Sequence, residues 1–149
     1  MGKKILITPR SFGKASHLPF EMLEEYGYEI IRNESGKQYT EEELLHIVED
    51  IDGMIVGLDP ISEKVIDKGK KLKVISKYGV GLDNIDLEAA KKNGVKVTFT
   101  PGANNESVAD FAFSLMLSLS RSVNRLDKIV RNNDWRKLIG TEIYGKTIG

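Results

Sequence analysis

The chain has 149 residues, enough for one domain with a full core, and its 40% hydrophobic and 30% charged composition excludes a disordered polymer. Lys and Arg number 22, as do Asp and Glu, so no basic field argues for nucleic acid or for an anionic membrane surface. There is no cysteine for disulfides or thiol-ligated metal, no signal-type leader and no apolar run of roughly 18 residues, so a cytoplasmic location and no membrane partner are expected.

Residues 3–8 (KKILIT) read as a short buried strand stopped by Pro9, and a helix is expected over residues 18–26. Residues 29–32 form the second expected strand, followed by a polar turn at 33–36. Thr40 lies three residues before Glu43, a capping box, and Leu44, Leu45, Ile47, Val48 and Ile51 then share one broad helical face. Glu41, Glu42 and Glu43 are the negative first turn of that helix, complementing its dipole, rather than a metal cluster. The third strand spans 53–57, and Ser62 is the candidate cap of a helix running to about residue 68. His46 reads as a helix-surface or structural histidine and His17 as a loop residue; neither has a metal-ligand partner at usable spacing.

The fourth strand ends at Ser76, Lys77 and Tyr78, where Gly79-Val80-Gly81 breaks it ahead of a helix from about Asp86, with Asp83 and Asp86 as helix-start residues. Two glycines one residue apart allow positive φ and bring backbone N–H groups close to an anion such as a carboxylate or phosphate. The glycine pattern alone fits an ordinary tight turn equally well. The motif is G-x-G-x-x-N, with Asn84 in place of the third glycine of the dinucleotide fingerprint, and no acidic residue closes the next strand near Phe99, so it is not an NAD cradle. After the alternation Val95, Val97, Phe99 comes a second turn, residues 100–107, in which Pro101 and Gly102 stop the strand. Asn105 or Ser107 is then the candidate cap, Ser107 and Asp110 being spaced as a capping box.

Strands recurring roughly every 20 to 25 residues with helical patterns between them indicate βα units: an α/β fold with an open, parallel five-stranded sheet and its consecutive βα turns on one edge. Residues 106–132 carry apolar side chains at helical spacing, nearly all round in the first half. They predict one helix roughly 40 Å long that bridges to a second domain or another subunit. The chain stops at Lys146-Thr147-Ile148-Gly149 on what reads as a strand just beginning, a boundary expected to lie within a longer protein.

Four motifs in order carry a resemblance that spans the chain. They are residues 78–87 (YGVGLDNIDL), Thr100-Pro101 with Asn104, Ser107-Val108-Ala109-Asp110, and Trp135 with residues 140–149 (GTEIYGKTIG). Together they resemble the NAD-dependent D-2-hydroxyacid dehydrogenases, the family of phosphoglycerate dehydrogenase. The resemblance implies a flavodoxin-like substrate-binding domain over residues 1–103, helices on both faces of its sheet, and over 104–149 a long interdomain helix and the opening of a Rossmann domain. It implies hydride transfer between NAD(H) and a small 2-hydroxy or 2-oxo acid. The substrate would be held by Lys77, Tyr78, Gly79, Val80, Gly81 and Asn104, with Val80 and Val108 bordering the cofactor and Lys77 offering positive charge. Where phosphoglycerate dehydrogenases commonly carry an arginine after the third strand, this chain has Gly57. The catalytic arginine, glutamate and histidine would lie beyond Gly149, so the chain by itself is expected neither to catalyse nor to bind NAD tightly, and to pair with a second copy through the long helix.

Other readings are a stand-alone flavodoxin-like binding or regulatory module, or a non-catalytic paralogue. A phosphorylated receiver is opposed by Thr8-Pro9-Arg10, Gly57 and Thr100-Pro101 where its acids and lysine belong. A flavin module would want a Ser/Thr-rich phosphate loop, for which residues 8–16 give only a thin version.

Overall fold

The structure is a computed structural model that describes residues 2–149. It divides into two compact units, Met1–Ala103 and Asn104–Gly149. The first holds β1 (Lys4–Ile7), α1 (Leu18–Glu25), β2 (Glu29–Arg32), α2 (Glu41–Ile47), β3 (Gly53–Val56), α3 (Glu63–Lys68), β4 (Val74–Lys77), α4 (Leu87–Lys92) and β5 (Lys96–Thr98). Its five strands form one sheet in the order β2-β1-β3-β4-β5, every pair parallel, as the βα alternation predicts. Strand order therefore reverses between β1 and β3, which opens a crevice at the carboxyl ends of those strands.

The inner strands β1 and β3 are apolar because both of their faces are covered. Leu6, Met54, Val56 and Ile75 point to one side, where they pack with Leu44 of α2, Val48 just after it, Val65 and Ile66 of α3, and Ala89 and Ala90 of α4. Ile5 and Ile7 point to the other, against Phe20 and Leu23 of α1. Each of the larger side chains contributes about 1.5 to 3 kcal/mol of burial, which is what holds these short helices in place. At the opposite edge Asp50 takes hydrogen bonds from Lys4 and Lys71, which together hold its carboxyl down to about 2.

The helix starts follow the sequence unevenly. Thr40 caps α2 as expected: its hydroxyl accepts from Glu43 N (3.2 Å) while Glu43 Oε2 accepts from Thr40 N (2.8 Å). Asp86 caps α4 through Ala89 N (2.9 Å). Ser62 sits at the cap of α3 but makes no cap bond, because its hydroxyl donates to the Glu41 carboxylate of α2, the stronger charge-assisted partner.

The second unit corrects two expectations. Its first helix, α5 (Asn105–Ser120), has Asn104 at the cap with no side-chain cap bond, so neither candidate cap serves: Asn105 is the first helical residue and Ser107 is already inside the helix. Residues 106–132 are two helices, α5 and α6 (Val123–Arg131), broken at Ser122, whose φ of 54° is left-handed. Serines 114 and 120 already turn their hydroxyls to the carbonyls of Phe111 and Leu117, the competition that weakens a helix interior. The break also frees the Ser120 carbonyl, which accepts from Thr141 N at 2.8 Å as the tail passes over it. That crossing needs Gly140, where a Cβ would stand 2.8 Å from the Ser120 oxygen. Residues 146–149, read as the start of a strand, are not extended into one; no strand forms in this unit for them to pair with. No helix among the described residues is long and apolar enough to cross a membrane.

If the break is a fixed feature of the chain, Ser122→Gly stabilises it by about 1 kcal/mol by removing a left-handed Cβ, and Gly140→Ala destabilises it. Urea unfolding followed by circular dichroism checks both; a Ser122→Gly protein less stable than the parent would mean that the helix runs on through residue 122.

Candidate anion-binding site at the carboxyl ends of the strands

The carboxyl end of β4 is built on a buried cation. Lys77 lies on the same side of the strand as Ile75 and is only 5% exposed. Its Nζ donates to the Gly57 carbonyl (2.6 Å) and to Asn84 Oδ1 (2.5 Å), and Asn84 Nδ2 donates to the carbonyls of Gly57 (3.1 Å) and Asp59 (2.7 Å). Thr8 Oγ1 in turn accepts from Gly57 N (3.1 Å) and donates to the buried Asp59 carboxylate, whose other oxygen accepts from Tyr39 N (2.8 Å). Burial, with the charge of Asp59 second, raises the Tyr39 phenol above its usual value. The loops after β1, β3 and β4 are thus joined by one polar assembly, and no buried side-chain nitrogen or oxygen among the described residues lacks a partner.

The resemblance implies that Lys77 offers charge to a substrate; the structure turns its ammonium inward onto protein oxygens instead. Asn84, which stands out in the sequence only as a replacement for glycine, is the acceptor that makes this possible. The signal for both was present: Lys77 falls in phase with buried Ile75, and a lysine on the core side of a strand requires oxygen acceptors nearby.

From this base the chain turns outward. Tyr78 is held edge-on by Phe12 of the β1–α1 loop, ring centroids 5.6 Å apart. Gly79 adopts φ 148°, open to glycine alone, and its carbonyl accepts from both Thr100 N (3.3 Å) and Thr100 Oγ1 (3.2 Å), which sets the two βα turns side by side. Gly81 does not have positive φ, contrary to the expectation for a G-x-G turn; its constraint is steric, since a Cβ there would lie 2.8 Å from Asp83 Oδ1. Among the described residues no protein acceptor is found for the N–H groups of Gly79, Val80 and Gly81, and Val80 and Gly81 are exposed. Three successive backbone donors on a pinned turn can hold a carboxylate.

Lys77, Tyr78, Gly79, Val80 and Gly81 are therefore brought together. Asn104 and Val108 belong to the second unit, at the cap and in the first turn of α5, both exposed, the Asn104 side chain making no cap bond. His17 and His46 are both exposed, and no cluster of His, Asp or Glu among the described residues could hold a metal ion.

The sequence model of the "D-isomer specific 2-hydroxyacid dehydrogenase, catalytic domain" matches residues 13–142. The chain is 37% identical over 138 residues to a glyoxylate reductase of Pyrococcus furiosus, a match covering 86% of this chain and 41% of that enzyme. Among solved structures it resembles the TT0316 protein of Thermus thermophilus at TM-score 0.83 and 35% identity, over 95% of this chain and 46% of the other. It resembles the NAD+-bound 3-phosphoglycerate dehydrogenase of Entamoeba histolytica at TM-score 0.74 and 29% identity, over 96% and 44%. The chain spans less than half the length of these relatives, yet the family match runs through both of its units. It belongs to the D-isomer specific 2-hydroxyacid dehydrogenase family.

Proposed function

We propose that residues 1–103 form the substrate-binding part of an NAD-dependent dehydrogenase that transfers hydride between NAD(H) and a small D-2-hydroxy or 2-oxo acid in the cytoplasm. The observation that carries this reading is the row of unpartnered N–H groups at Gly79, Val80 and Gly81, fixed from beneath by Lys77 and Asn84 and from the side by Thr100. Donors of this kind bind the carboxylate common to every 2-hydroxy and 2-oxo acid without regard to what the rest of the molecule carries. Asn104 adds a hydrogen bond to the same acid, and Val80 and Val108 border the nicotinamide. Lys77 acts as a positioning residue.

The chain's own residues do not fit the whole of NAD. Its Gly-x-Gly turn lacks the third glycine of a pyrophosphate cradle, and the Asn84 amide that stands there is already bonded to two carbonyls. NAD(H), which would give hydride to a 2-oxo acid when reduced or take it from a 2-hydroxy acid when oxidised, is therefore assigned to the complete enzyme, and what this chain does is bind and orient the acid. Residues 104–149 are proposed as the interdomain helix and the opening of the nucleotide domain.

The α5 surface supports self-association. Val108, Phe111, Phe113, Leu115, Leu117 and Leu119 are all between 45% and 83% exposed, and no residue of α5 is buried. Covering each would contribute up to about 1.5 to 3 kcal/mol, and so large an apolar surface normally finds a partner. We propose a homodimer made through this helix.

Titration of the chain with D-lactate, followed by amide NMR, is expected to shift residues 79–81, and Gly81→Ala to abolish the shift with the fold retained because Asp83 can swing aside. Gly79→Ala instead costs about 1 to 3 kcal/mol of stability. In an enzyme carrying this segment, Asn104→Ala raises KM or lowers kcat by the equivalent of about 0.5 to 1.5 kcal/mol. D-lactate that leaves residues 79–81 unmoved removes them from the site. Sedimentation over a concentration series is expected to show dimers, which Leu115→Glu with Leu119→Glu disperses; a monomer at every concentration contradicts the dimer.

A further inference from the structure

The row of free N–H groups at residues 79–81 has a carboxylate for a neighbour. A Cβ on Gly81 would lie 2.8 Å from Asp83 Oδ1. Because Cβ and N of one residue are about 2.5 Å apart, that oxygen stands no more than about 5 Å from the Gly81 nitrogen. Asp83 is exposed and makes no ion pair among the described residues. No lysine or arginine lines the cavity of about 380 Å³ that it borders, where Asp86 is the other charged residue. The Lys77 ammonium beneath the turn is bound to Gly57 and Asn84 instead. A negative charge without a cationic partner therefore stands beside the donors that would bind an anion.

Backbone N–H rows by themselves bind phosphate and sulfate as readily as carboxylate. A neighbouring charge supplies the discrimination that they lack. Repulsion between Asp83 and a bound anion grows in proportion to the anion's charge, so a dianion on the row loses twice the free energy that a monoanion loses, and its affinity falls by the square of the factor. The effect needs no difference in shape or in hydrogen bonding.

We propose that Asp83 is a specificity-determining residue: its charge makes the row at 79–81 select the singly charged carboxylate of a 2-hydroxy or 2-oxo acid and reject sulfate, phosphate and other doubly charged oxyanions. This rests on the assignment of the substrate carboxylate to residues 79–81 and deepens it by naming what the same donors exclude. The charge weakens the acid's own binding as well, by the smaller factor. The chain overall is electrically neutral, so the repulsion is local to this turn and is screened by salt.

The test is titration of the chain and of Asp83→Asn at low ionic strength, with D-lactate as the monoanion and sulfate as the dianion. Affinity is read from the amide shifts of residues 79–81 alone, so anions bound elsewhere do not count. Asp83→Asn keeps the shape and removes the charge of an exposed side chain. It is expected to tighten D-lactate about threefold and sulfate about tenfold, and sodium chloride at roughly 1 M, where the Debye length is about 3 Å, is expected to erase both gains. Asp83→Glu restores the charge and is expected to keep the parent's preference, which separates the charge from any loosening of the turn. Sulfate that gains no more than D-lactate, while D-lactate shifts 79–81 in both proteins, overturns this proposal alone. D-lactate that leaves 79–81 unmoved in both proteins overturns the carboxylate assignment, and this proposal with it.

Discussion

The carboxyl edge of the sheet depends on a buried lysine. The Lys77 ammonium is held by the Gly57 carbonyl and the Asn84 side chain, and Asn84 ties the same carbonyl to that of Asp59. Hydrogen bonds from a charged donor are each worth about 1.5 to 3 kcal/mol net, and a buried ammonium without them would be costly. The loop after β3 and the turn after β4 are consequently locked to one another. With Gly57 further bonded to Thr8, the loop after β1 is part of the same structure. A row of backbone N–H groups binds an anion well only when the backbone carrying it does not have to be ordered on binding, and this assembly provides that order in advance.

Much of this architecture could be read from the residues. Short apolar runs separated by helical periods indicated five parallel strands, and the Thr40–Glu43 and Asp86 caps lie where their spacing indicates. These features are local, and local chemistry decides them. Ser62 and Ser107 show the limit: a hydroxyl with the right spacing caps nothing when a carboxylate from another helix offers a better partner, or when the helix starts a turn earlier. The break at Ser122 was illegible for the same reason, since apolar spacing continues through it and the donor that takes up the freed Ser120 carbonyl, Thr141 N, lies about twenty residues on.

The site was legible in outline and not in its working parts. The glycine turn pointed to residues 79–81, and the paired βα turns placed Thr100 near them, but the two glycines differ: Gly79 is required by its φ, whereas a Cβ at Gly81 meets only the Asp83 carboxylate, which can swing aside. The family resemblance made Lys77 a substrate contact. Its partners, Gly57 and Asn84, are 20 and 7 residues away and become neighbours only when β3 and β4 pair. Asp59 and Thr8, which complete the assembly, carry no motif at all. The family match runs through this turn, and α5 leaves a large apolar surface exposed.

Whether Lys77 serves the site from beneath or touches the acid can be decided by the salt dependence of D-lactate binding to Lys77→Met. Methionine keeps the volume and loses the ammonium, so the turn loosens. If Lys77 acts from beneath, binding weakens by about three- to tenfold, because the loosened turn must now be ordered on binding, and the slope of affinity against ionic strength stays unchanged. A slope that falls along with the affinity would mean instead that the ammonium faces the carboxylate, and that the buried lysine is not the foundation of the turn.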